Sequence, residues 1–173
     1  MAVNVYGGGN IAQTEGTTNV NINSGTQTGE IYGGGNVGIV NGTGKVYSKG
    51  GTARYVYGGG KSADVTTTYV YLQGGTVTNM FGGSNTTGTV QNSYINTTSG
   101  TAGTIYGGNN AGGTTNYTSL NINGGRINTA IYGGGNQADV GYVYLTLASA
   151  QNSIPEVYGR RKVSKCYRDI YLL

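Results

Sequence analysis

The hexapeptide IYGGGN stands at residues 31–36 and returns, letter for letter, at 131–136. Variants fill and flank the interval: VYGGGN at 5–10, VYGGGK at 56–61, MFGGSN at 80–85, IYGGNN at 105–110 and VYGRRK at 157–162. Their aromatic residues are Tyr6, Tyr32, Tyr57, Phe81, Tyr106, Tyr132 and Tyr158, separated by steps of 26, 25, 24, 25, 26 and 26 residues. A fixed period of this size is the mark of stacked repeat units, and it settles the fold class before any finer reading.

Each unit is punctuated alike. An aliphatic–aromatic pair leads into glycines and an Asn or Lys; a short segment such as SADV (62–65) or QADV (137–140) follows. Then comes a β-rich run: NVNINSG (19–25), YVYLQGG (69–75) or SLNINGG (119–125). The alternation in VNI, VYL and LNI has period two, as in half-buried strands. Glycine recurs every few positions and no long helical periodicity appears, so helices are not expected. Short strands turned by glycine and asparagine fit one rung of a parallel β-helix. Six full rungs and a partial seventh would stack to about 30 Å at the spacing of paired strands. Propeller blades need longer units, and leucine-rich repeats need a leucine frame that this chain lacks. The expected architecture is all-β, a right-handed parallel β-solenoid over residues 1–158. An atypical basic rung or cap would close it at 159–173.

Within the rung, Val5, Ile31, Val56, Met80, Ile105, Ile131 and Val157 form a wholly aliphatic column, expected in the core. Neighbours along a strand point to opposite sides, so the aromatic column is expected to face outward or across a turn. There it would form a ladder of stacked rings. The column Asn10, Asn36, Asn85, Asn110 and Asn136, interrupted by Lys61 and Lys162, reads as an amide ladder at a turn. The intervening glycines read as positive-φ corners.

This pattern of VYGGGN, ADV, VNIN and IYGGGN, spanning residues 5–158, resembles the tandem repeats of very large surface proteins of anaerobic gut bacteria. Those are adhesin-like β-solenoids. The resemblance implies a secreted or cell-surface location, a scaffold or adhesion role, neighbouring repeats in a longer parent chain, and no catalytic residues to carry over. VYGRRK and the residues after it depart from the pattern. The N-terminus enters its first repeat at once with no signal-peptide pattern, which reads as a segment of something longer or a mature form.

The rest of the sequence narrows the chemistry. There is no histidine, and Cys166 is the single cysteine, which excludes an internal disulfide framework and a multi-cysteine zinc site. Charged residues make up only 9% of the chain, with no apolar run long enough to span a membrane. The acids are Glu15, Glu30, Asp64, Asp139, Glu156 and Asp169. A β-helix lyase or hydrolase needs clustered carboxylates. Asp64 and Asp139 hold equivalent places but lie three rungs apart, about 14 Å by strand spacing. GGGNQADV (133–140) has Asn136 and Ala138 where calcium-binding nonapeptides require Gly and Asp, and no GK[ST] follows the glycines to make a phosphate loop. No cofactor is implied.

Two features point to partners. Arg160, Arg161, Lys162, Lys165 and Arg168 cluster near the C-terminus, as a site for anionic surfaces or as a polar cap on the last rung. The shaft is otherwise nearly neutral, so nucleic acid is not an expected partner. The ladder Tyr6, Tyr32, Tyr57, Phe81, Tyr106, Tyr132 and Tyr158 could stack on sugar rings of host or microbial glycans, or only on itself. Tyr47, Tyr71 and Tyr144 suggest a second, broken aromatic row.

Overall fold

The computed structural model describes residues 3–148, 154–159 and 170–172. All regular structure in it is β, and the strands join side by side in one parallel hydrogen-bonded system of twelve. The chain winds as a β-solenoid of about six turns, each roughly 25 residues after the last.

Two strand columns make each turn. The first carries the hexapeptide: β1 (Val5–Tyr6), β3 (Thr26–Tyr32), β5 (Thr52–Tyr57), β9 (Arg126–Tyr132) and β11 (Glu156–Tyr158). The second carries the β-rich run: β2 (Thr14–Ile22), β4 (Val40–Ser48), β8 (Thr114–Ile122), β10 (Asp139–Leu147) and β12 (Ile170–Leu172). In the middle of the stack, β6 (Val65–Phe81) and β7 (Thr89–Tyr106) run through the corner and serve both columns. Equivalent residues pair from turn to turn, as in Val5 with Ile31, Val56 with Met80 and Met80 with Ile105. Unequal unit lengths are absorbed by register shifts, for example between Gln27 and Glu30 and between Val40 and Thr43.

The core is narrow. From the first column it takes Ile31, Val56, Met80, Ile105 and Ile131; from the second, Val46, Val70, Ile95, Leu120 and Leu145. The aliphatic column therefore lies where period two places it. Corner chemistry differs from expectation. Positive φ occurs not in the hexapeptide but in the column Gly25, Gly51, Gly75, Gly100 and Gly125 at the opposite corner, and outside that column at Gly16, Gly88 and Gly113. The hexapeptide glycines are required by crowding instead: a Cβ on Gly33 would press into the carbonyl of Gly58, and one on Gly34 would come within 2.7 Å of the Gly60 nitrogen.

That crowding leaves buried carbonyls, and hydroxyls in the second column answer them. Thr68 Oγ1 donates to the Gly82 carbonyl (2.6 Å), Ser93 Oγ to Gly107 (2.6 Å) and Thr118 Oγ1 to Gly133 (2.7 Å); Thr18 makes the same bond to Gly33. A buried carbonyl without a partner would cost about 1–3 kcal/mol, so these small polar residues belong to the interior.

Candidate functional site

The seven aromatic side chains of the hexapeptide do stack. Successive ring centroids from Tyr6 to Tyr158 lie 4.7–4.9 Å apart with planes within 12° of parallel. Their outward placement is corrected by the structure. Tyr32, Tyr57 and Phe81 are 0%, 1% and 3% exposed and form an apolar cluster of their own, with Tyr6, Tyr55 and Tyr106 packed against it. The strand does send the aliphatic and aromatic columns to opposite sides; the GGGN corner then roofs the second side.

The roof contacts are polar and specific. Tyr32 Oη donates to Glu30 Oε2 (2.7 Å) and accepts from Asn85 Nδ2 (2.8 Å), which belongs to the hexapeptide two turns along. Tyr57 Oη accepts from Asn110 Nδ2 at 3.5 Å in the same two-turn relation. The amides bond to one another as a ladder: Asn36 to Asn10 (2.7 Å), Asn110 to Asn85 (2.8 Å) and Asn136 to Asn110 (2.9 Å). Burial first, then the bond to Glu30, raises the Tyr32 phenol far above its ordinary value; burial and the nearby Glu30 charge raise Tyr57. With each inner ring covered on both faces by its neighbours, a sugar has no face of Tyr32, Tyr57, Phe81, Tyr106 or Tyr132 to stack on.

Where the hexapeptide's third glycine is replaced, a buried polar knot appears. Asn109 accepts from the Ser84 backbone N–H (2.8 Å) and from Thr115 Oγ1 (2.9 Å), and donates to the Gly88 (2.8 Å) and Gly112 (3.0 Å) carbonyls. Its amide uses donor and acceptor capacity fully, which is structural work.

The outer face of the second strand column carries a second set of aromatics, half-buried or exposed. Register gives three outward columns. One runs Thr43, Thr67, Asn92, Tyr117, Tyr142; the next Lys45, Tyr69, Tyr94, Ser119, Tyr144; the third Tyr47, Tyr71, Asn96, Asn121, Thr146. Tyr144 therefore belongs beside Tyr69 and Tyr94, not in the row of Tyr47 and Tyr71. The tyrosines together make a diagonal stripe. Tyr47 stacks on Tyr71 (4.7 Å) and Tyr69 on Tyr94 (4.8 Å), Tyr69 lies beside Tyr71 (6.0 Å), and Tyr117 tilts toward Tyr94 (6.1 Å, 58°). Sequence reading found only part of this stripe, because its rings share a column for no more than two successive turns and then shift by two residues to the next column.

The carboxylates are held apart. Asp64 Oδ1 accepts from the Thr89 N–H (2.7 Å), Glu15 accepts from Gln13 and Asn41, and Glu30 belongs to the roof of the inner ladder. Among the described residues no three His, Cys, Asp or Glu side chains gather as metal ligands, and no helix is long and apolar enough to cross a membrane. The basic cluster Arg160, Arg161, Lys162, Lys165 and Arg168 lies outside the described residues, as does Asp169. No family model matches the chain, and neither a curated protein nor a solved structure matches it.

Proposed function

We propose that this chain is a non-catalytic repeat segment of an adhesin-type protein, secreted or held at a bacterial cell surface, whose task is to supply length and surface. One observation carries the reading. What repeats from unit to unit faces inward: the aliphatic column, the stacked aromatics and the crowded glycines all build the rung. The outer side of the second column holds to no one residue type: a single column reads Lys45, Tyr69, Tyr94, Ser119 and Tyr144. Repetition spent on construction, with a variable exterior, is the economy of a stacked scaffold.

The test has two arms. Removing residues 82–106, one unit, joins Phe81 to Gly107 and keeps every column in phase. The shortened chain is expected to retain its β circular dichroism and to lose about 4.8 Å of length by small-angle scattering. Loss of folding would overturn the interchangeable-rung reading. In the second arm the intact chain is incubated with a polysaccharide panel, and no release of reducing or unsaturated sugar ends is expected. Turnover abolished by Asp64→Ala would replace the scaffold with an enzyme.

A further inference from the structure

The outer tyrosine stripe ends in different ways. The lower face of the Tyr47–Tyr71 stack is closed: Lys49 Nζ lies 5.2 Å from the Tyr47 ring centroid and donates to Asn21 Oδ1 (2.9 Å), the residue paired beneath Tyr47. Lys45 Nζ approaches the Tyr69 ring at 5.8 Å, while the far side of that stack meets the tilted Tyr117. Among the described residues the upper face of Tyr71 has neither ring nor cation. Its column continues as Asn96, Asn121 and Thr146, short side chains where rings could stand. A step results, with an aromatic wall on one side, Tyr94 alongside, and amides as its floor.

Those floor amides differ from the amides of the corner ladder. Along the hexapeptide corner the asparagines bond to one another, and elsewhere Asn41 and Asn116 have side-chain partners. The Asn121 side chain has no partner among the described residues, although it is half-buried, and Asn96 takes only a long 3.5 Å contact from Asn123. An aromatic face over amides with spare donors and acceptors suits a ligand that is apolar on its flat side and ringed by hydroxyls. A nucleic-acid strand fits less well: its phosphates need a row of cations, and the two lysines of this face already cover rings.

We propose that the step above Tyr71 binds a pyranose unit of a glycan whose hydroxyls are equatorial. The sugar would stack its C–H face on Tyr71 and hydrogen-bond to Asn96 and Asn121. It takes the place of the ring missing from the column, and adjoining sugars run along the stripe past Tyr94. This gives the scaffold a ligand without depending on the scaffold reading; a failure here leaves the unit-deletion result standing.

Calorimetry with cellohexaose and xylohexaose on the full chain tests it. The parent is expected to bind at least one hexamer. Tyr71→Ala should weaken binding about tenfold or more, the loss of one stacked face, while Tyr71→Phe should hold it within about twofold. Asn96→Tyr separates the site from folding, since a ring there extends the stack and fills the seat. This variant should abolish binding and raise the melting temperature. The proposal is overturned if neither hexamer binds the parent at millimolar concentration, or if Asn96→Tyr binds as well as the parent.

Discussion

Two sets of tyrosines in one solenoid stack at the same spacing and come to opposite ends. The hexapeptide ladder runs from Tyr6 to Tyr158 with a ring at every described turn, and its middle members are buried. The outer stripe pairs its rings for two turns, then shifts column, and Tyr142 at its far end is 63% exposed. Stacking itself is common to both. What distinguishes them is continuity along the axis and the cover over the ring tips, where Asn85 and Asn110 close the inner set. A continuous ladder consumes its own faces; a broken one leaves some for others.

The contrast breaks most visibly under truncation. Tyr57→Ala removes a buried ring that Tyr32 and Phe81 sandwich, and should cost about 3–5 kcal/mol in guanidinium unfolding. A loss below about 1 kcal/mol would mean that the inner ladder is not part of the core. Alkaline titration comes next. Tyr32 and Tyr57 hold their protons more tightly folded than unfolded, so their stabilisation is complete below the ordinary phenol value of 10.0. It drains away as pH rises beyond that value, because the unfolded chain ionises first. Stability should therefore be flat up to about pH 9 and fall thereafter, and ultraviolet titration should show these inner phenols ionising only with unfolding. Phenols that all ionise in one step near pH 10 without loss of structure would contradict this burial.

The outer face supplies the smaller effects. Tyr71→Ala forfeits one stacked pair and a partly exposed ring, about 1 kcal/mol, and equal losses at Tyr57 and Tyr71 would erase the distinction between the sets. Smallest is Phe81→Tyr. By the two-turn rule seen at Tyr32 and Tyr57, its new hydroxyl would reach Asn136, for a gain of about 0.5–1 kcal/mol. Destabilisation by the added hydroxyl would show that the roof differs from turn to turn.

Much of this fold was legible in the chain because a repeat reports its own alignment. Ile31, Val56, Met80 and Ile105 share a letter class and a spacing, and the structure buries them in one column. The side of the sheet on which Tyr32 sits was legible as well; what covers that side was not, because the roofing Asn85 comes from two turns away. Which glycines take positive φ is not legible, since adjacency in sequence does not distinguish a left-handed corner from a crowded one. The buried hydroxyls of Thr68, Ser93 and Thr118 went unread, although they lie two residues before Val70, Ile95 and Leu120 and so share the core's phase. The outer step escaped for the converse reason: Tyr71, Asn96 and Asn121 occupy one column but no common residue type.

The register shifts that reconcile units of unequal length have a consequence at the level of the gene. Each unit offers the same columns to the unit before it and the unit after, and a residue gained or lost is absorbed at a bulge rather than passed along the stack. Replication slippage that copies or drops a whole unit would therefore leave both new neighbours in phase. A copied unit would duplicate one outward face, and selection could then act on the two faces separately.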